Sequence, residues 1–159
     1  MPIPTKFHKI TTLMQSATFD SRTATISPDV KLTADELLEM MPQISTMLAI
    51  KPNHEMIVTS IQTVFETLGK QPPTRLALQT FATILKDIPA IFMEDITLSI
   101  CAEIPNSRPI PKDWADRSAS KVAEMQLLRH AIRKELKRRG VLTQNDKIYG
   151  DIITNSTKQ

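Results

Sequence analysis

An all-α fold of five or six helices with a long basic C-terminal helix is the architecture this sequence predicts. Three observations predict it. Apolar residues recur at helical spacing in several stretches, and no sustained alternation of the strand type appears. Three glycines against eleven prolines disfavour a β protein, which needs many tight turns, and suit helices with abrupt joints. The third observation is the segment from Pro111 to Gly140, which reads as one long helix. Its second half carries Arg129, Arg133, Lys134, Lys137, Arg138 and Arg139 against Glu135 alone. That segment contributes +5 to a formal net charge of +3, so the remainder sums to −2. With 159 residues and 41% hydrophobic content, the chain is long enough to bury a core as one domain. Eight Met against five Phe, one Trp and one Tyr indicate an adaptable, mostly aliphatic interior.

Residues 1–30 are rich in Thr and Ser and carry Pro2, Pro4 and Pro28. With no clear periodicity they are expected to form a flexible arm, anchored locally by Leu13, Met14 and Phe19, with a short strand near Thr23–Ile26 as a minor option. The helical domain is expected over 31–140. Thr33 with Glu36 three residues on is a capping-box pattern and opens a helix to Met41, with Leu37, Leu38 and Met41 on its apolar face. Pro42 is expected to begin a new turn over Ile44–Ile50. Asn53 is the N-cap expected for a helix whose apolar stripe is Ile57, Ile61, Val64 and Leu68, with Gly69 as its C′ residue.

Thr74 opens the next helix, to about Asp87, with a stripe of Ala77, Phe81, Ile84 and Ile88 widened by Leu78 and Leu85. Pro89 closes the joint, and Ile91–Glu103 follows with Phe92, Ile96, Ser99 and Ile100 on one side. Residues 104–111 form a proline-punctuated loop. Pro111 suits the first position of the last helix, and Asp113 suits its positive end. Trp114, Val122, Met125, Leu128, Ile132 and Leu136 fall within roughly a third of the helical wheel. So narrow a stripe leaves much of the helix for water or a partner. Residues 141–159 are expected to be a flexible tail with Val141, Leu142, Ile148, Tyr149, Ile152 and Ile153 available for docking.

Enzyme chemistry finds no motif. Glycines only at 69, 140 and 150 cannot build a phosphate loop or a dinucleotide fingerprint. His8, His54 and His130 are too scattered to bind a metal with the single Cys101. Glu94 and Asp95 point about 100° apart on a helix and do not converge. Cys101 is read as a small buried residue and His130 as a surface one. No catalytic residue, metal or cofactor is therefore expected, and the protein is read as non-enzymatic. One cysteine excludes an intramolecular disulfide. No signal-peptide pattern opens the sequence, so a cytoplasmic location is expected. No run of eighteen apolar residues predicts a membrane span.

The basic cluster carries the functional reading. It suits backbone phosphates or an acidic protein face, against the simpler reading of solvated cations at the negative end of a helix. No aromatic residue interleaves with the charges, so a stacking platform for single strands is not expected. The two helices over 74–103 also have helix-turn-helix spacing, but the second carries Glu94, Asp95 and Glu103 and no cation, which repels phosphate.

Leu85-Lys86-Asp87-Ile88-Pro89, a helix, and then Arg108-Pro109-Ile110-Pro111-Lys112-Asp113-Trp114 form a pattern over about residues 75–139. It resembles small all-helical proteins of phages and prophages of the replicative helicase-loader type. In those, a Leu-x-x-Leu/Ile-Pro joint precedes a helix and then a loop ending in a Phe-x-Pro-Thr/Ser-Pro-x-Glu-Leu motif that starts another helix. Here Ile110 stands where the motif has Ser or Thr, Asp113 where Glu is common, and Trp114 where Leu is common. The resemblance implies an all-α scaffold and a DNA-replication context, and it carries over no catalytic residue. The expected function is an adaptor in nucleic-acid metabolism, a phage-type replication or helicase-loading accessory. Its Arg129, Arg133, Lys134, Lys137, Arg138 and Arg139 would contact nucleic acid or an acidic partner such as the helicase. The alternative is a structural or self-assembling interaction protein, a virion, packaging or effector component, that forms homo-oligomers without nucleic acid.

Overall fold

A computed structural model describes residues 7–20, 22–26, 31–104 and 106–141. The expected tail beyond Val141 lies outside the described residues. The chain is all-α, with six α-helices and one two-residue-per-strand hairpin among the described residues. In order these are α1 (His8–Ser16), β1 (Thr18–Phe19), β2 (Ala24–Thr25), α2 (Ala34–Ala49), α3 (His54–Thr67), α4 (Arg75–Leu85), a 3₁₀ turn (Ala90–Phe92), α5 (Met93–Glu103) and α6 (Pro111–Arg138). Leu48–Val122 form one compact unit. The described residues up to Met47 and from Ala123 form a second.

The second unit begins where no periodicity was apparent. Phe7, Ile10 and Leu13 are buried along α1, and the hydroxyls of Thr11 and Thr12 donate to the carbonyls of Phe7 and His8 at 3.0 and 2.8 Å. Threonine thus satisfies its hydroxyl within the helix, and three large side chains at i, i+3 and i+6 supply the burial that a threonine-rich stretch conceals. In the hairpin Thr18 faces Thr25 and Phe19 faces Ala24. The Asp20 carboxylate accepts the backbone N–H groups of Arg22 and Thr23, each at 2.8 Å.

The capping box at the start of α2 is reciprocal: Glu36 N–H donates to Thr33 Oγ1 at 3.1 Å, and Thr33 N–H to Glu36 Oε1 at 3.2 Å. The helix does not stop at Met41, as expected from Pro42; it runs unbroken to Ala49. Proline inside a helix costs about 3 kcal/mol. Here Leu37, Met40, Met41, Ile44 and Met47 continue one buried face through it, and each buried side chain contributes about 1.5–3 kcal/mol. Burial exceeds the proline penalty.

In the Leu48–Val122 unit, Asn53 Oδ1 accepts the Met56 N–H at 2.9 Å and Thr74 Oγ1 the Ala77 N–H at 3.2 Å, so both caps form as expected. α3 ends in a Schellman motif, with Lys70 N–H to Phe65 O at 2.9 Å and Gly69 N–H to Glu66 O at 3.1 Å. Gly69 has φ +66°, as this closure requires. On α4 the expected stripe is displaced. Phe81, Leu85 and Ile88 are buried, whereas Ile84 is 36% exposed and Leu76 75% exposed. Pro89 then turns the chain, and the Ala90 N–H donates to Ile50 O at 2.8 Å.

The loop before α6 solves its capping problem without a hydroxyl. Ile110 N–H donates to Asp113 Oδ2 at 2.8 Å, so the acid three residues on satisfies an orphan amide. Arg117 then clamps α6 to α5, donating to Ser99 Oγ at 3.0 Å and Glu103 Oε2 at 2.7 Å. The Ser99 hydroxyl, which donates to Glu103 Oε1 at 2.9 Å, and then Arg117 hold the Glu103 carboxyl below its usual range.

Trp114 is fully buried beside Phe81, edge to face at 5.4 Å, and Phe81 meets Phe65 at 6.0 Å. The indole Nε1–H donates to Ser60 Oγ at 2.9 Å. Ser60 and Thr97 hydroxyls are 2.6 Å apart, and Thr97 donates to Met93 O at 2.6 Å. With the Thr97 proton committed there, Ser60 donates to Thr97. One chain of hydrogen bonds thus joins α6, α3 and α5.

Ser60→Ala leaves the indole N–H buried without an acceptor and is expected to destabilise the fold by about 1–3 kcal/mol, read as a lower urea midpoint. Gly69→Ala meets no atom within 4 Å, so its expected cost is conformational alone, about 1–2 kcal/mol. A larger loss would indicate a steric role that the open surroundings exclude.

Candidate functional site

The cationic end of α6 lies wholly in the second unit. Met125, Leu128, Ile132 and Leu136 are fully buried along one face, which fixes the helix rotation. At about 100° per residue, Lys134, Lys137 and Arg138 then occupy an arc of roughly 100° on the far side, and Arg133 flanks the buried face. Helix termination is set by Gly140, φ +77°, through a second Schellman motif: Val141 N–H to Leu136 O at 2.9 Å and Gly140 N–H to Lys137 O at 3.0 Å.

The six predicted cations separate into distinct groups. Arg138 grips Glu135 with two hydrogen bonds, Nε to Oε2 at 3.0 Å and an Nη to Oε1 at 2.6 Å. Arg139 donates Nε to the same Oε1 at 2.9 Å and an Nη to Leu32 O at 2.6 Å, so it is turned toward its own unit. Arg138, by contrast, keeps its side chain 70% exposed. Arg129 and Arg133 are half-buried with their Nε atoms enclosed. The Arg133 Nε meets no acceptor among the described residues. Arg133, Lys134 and Lys137 form no ion pair among the described residues. The sequence brings all six onto one helix end, and among the described residues Arg133, Lys134 and Lys137 pair with no carboxylate.

Glu135 is the electrostatic pivot. Hydrogen bonds from Arg138, and next from Arg139, lower its carboxyl from 4.5 to about 2. Charge-assisted pairs of this kind favour the ionised acid.

Glu94 and Asp95 do not converge on a common site. Asp95 faces Lys121 at 3.8 Å, and Glu94 is exposed. Cys101 is half-buried and His130 exposed. No group of three or more potential metal ligands occurs among the described residues. No single helix among them is long and apolar enough to cross a membrane.

A second feature escaped the sequence. In the Leu48–Val122 unit a half-open cleft of about 620 Å³ lies between α3 and α5. Met56, Ile91, Met93 and Leu98 give it apolar walls, and Ser60 and Thr97 are among its lining residues. Glu55 and Glu94 stand among its lining residues, which include no Lys or Arg. Its sequence signal was the Asn53, Met56, Ser60 and Thr63 spacing on α3, which looks like solvated helix surface until α5 is placed beside it.

No protein-family model, curated protein or solved structure matches this chain.

The depressed Glu135 carboxyl has a consequence for stability. Because its folded value lies below the ordinary 4.5, its stabilising contribution is complete above about pH 4.5 and is lost as pH falls toward about 2. Carboxyl chemical shifts should titrate with a midpoint near 2. Between pH 5 and pH 2 the urea midpoint should fall less in Glu135→Gln than in the wild type. A Glu135 midpoint near 4.5 would show that the two arginines do not hold it.

Proposed function

We propose that the chain is a non-enzymatic adaptor of nucleic-acid metabolism whose α6 cations bind the phosphate backbone, as in the replication accessory role that the helicase-loader resemblance implies. The observation that carries this reading is the pair Lys134 and Lys137 on the side of α6 away from its fully buried face, with Arg133 on the flank, none of the three in an ion pair among the described residues. Ionised side chains held on a rigid helix present several charges at fixed spacing, and phosphates displace their counterions. The exposed Arg138 lies beside them, shared with Glu135. Binding of this type is insensitive to sequence and strongly sensitive to salt. The protein partner of such an adaptor would be a helicase or another component of the replication assembly, inside the cell.

Apolar exposure on α4 favours a second reading, self-assembly without nucleic acid. Leu76 is 75% exposed and Ile84 36% exposed, on a helix whose other face packs inward. Light scattering separates the two readings: a defined oligomer that ignores DNA and dissociates on Leu76→Asp supports the second.

Fluorescence anisotropy with a labelled duplex tests the first. The affinity should fall with salt at a logarithmic slope of about −3, for about three phosphates neutralised. Arg133→Glu, Lys134→Glu and Lys137→Glu together should abolish binding, and Glu135→Gln, which releases two guanidinium groups, should strengthen it several-fold. Binding retained by the triple variant with an unchanged salt slope would overturn the proposal.

A further inference from the structure

On the phosphate-binding reading of α6, on which this rests, we infer that Lys31 is a further phosphate-contacting residue of the same surface and that Arg139 is the residue that positions it. Lys31 lies on the segment entering α2, far from α6 in sequence, and only a tertiary contact brings the two together.

That contact is a run of hydrogen bonds. Arg138 and Arg139 both donate to Glu135. Arg139 then extends an Nη to the Leu32 carbonyl at 2.6 Å, across a separation of 107 residues. A guanidinium can hold both partners at once because its donors point in fixed, different directions. Leu32 is thereby fastened to the end of α6. Lys31 is its chain neighbour, with the two Cα atoms about 3.8 Å apart. Both segments belong to the same compact unit.

Charge decides what this junction can hold. Lys31 is exposed and forms no ion pair among the described residues. The two carboxylates bonded at the junction are already taken. Glu36 pairs with Lys9 at 2.6 Å and accepts the backbone N–H of Thr33, and Glu135 is shared by the two arginines. Asp35, exposed on the first turn of α2, sets one negative charge against Lys31, Lys134 and Lys137, so the balance stays positive. A nucleic-acid backbone carries its charges in series and is met by successive cations. Lys134 and Lys137 offer such cations along one helix, and Lys31 adds one from a second segment, so the backbone is held from two elements.

Fluorescence anisotropy on the full chain with a labelled duplex tests the assignment. Lys31→Gln should weaken binding about fivefold and flatten the logarithmic salt slope by about 1, as one lost phosphate contact does, with the urea midpoint unchanged. Lys31→Arg should retain both affinity and slope. Arg139→Lys keeps the charge but cannot span Glu135 and Leu32, so it should weaken binding to the same degree as Lys31→Gln. The two losses should not add: Lys31→Gln combined with Arg139→Lys should bind no worse than Lys31→Gln alone, as for residues that act through one another. A merely structural role for Arg139 would lower affinity whatever stands at position 31, so strictly additive losses would overturn its positioning role. Unchanged affinity and slope in Lys31→Gln, with binding still abolished by the Arg133, Lys134 and Lys137 charge reversal, would overturn the role of Lys31 and leave the phosphate reading of α6 standing. A wild-type chain that binds no duplex would overturn both.

Discussion

The Leu48–Val122 unit depends on one directed chain of hydrogen bonds, from the Trp114 indole through Ser60 and Thr97 to the Met93 carbonyl. Each proton in it has a single place to go. Thr97 gives its own to the backbone, Ser60 gives its own to Thr97, and Ser60 is left to accept from the indole. A tryptophan buried on all sides needs such an acceptor, because an unpaired N–H in an apolar interior costs far more than a made bond contributes. Satisfying it fixes the axial position of α6 against α3 and of α3 against α5. The edge-to-face contacts from Trp114 to Phe81 and on to Phe65 add α4 to the same point. A slip of one residue on any of these helices would break the chain and expose a polar group to the core.

Ser60 and Thr97 also line the α3–α5 cleft, so the interaction that holds the unit together also shapes that cleft. Side chains already committed to internal bonds do not reorganise when a ligand arrives, and binding then costs less entropy.

In the second unit, competition among charges decides what α6 can do. Cations at a helix C-terminus are favoured by the macrodipole, but that effect fades beyond the last turn. It accounts for Lys137, Arg138 and Arg139. It does not account for Arg133 and Lys134, which lie more than a turn from the end of α6 at Arg138. Glu135 binds both Arg138 and Arg139 and is itself held ionised by them, so the terminal guanidinium groups are partly neutralised within the protein. The charge that remains for a partner therefore centres on Arg133, Lys134 and Lys137. The formal count of six overstates the available surface because two members share one carboxylate.

What the sequence by itself determined is local. The capping box at Thr33 and Glu36, the caps at Asn53 and Thr74, the stops at Gly69 and Gly140, and the buried stripe of α6 all follow from a few neighbouring residues. Each rests on backbone groups and side chains within one or two turns, so the signal and its cause share the same window. The cationic cluster was legible for that reason too, although its division into paired and uncommitted members was not. Tertiary structure decided the rest. Pro42 sits inside α2 because a buried face running past it outweighs the proline penalty. Ile84 is exposed and Leu85 buried because the packing of Phe81 beside Trp114 sets the rotation of α4, which its broad apolar face leaves open. α1 exists because Phe7, Ile10 and Leu13 are buried, which nothing in their own stretch of sequence announces. The α3–α5 cleft belongs to neither helix alone: its walls are two ordinary helix surfaces, and only the bonds that place them side by side make a site.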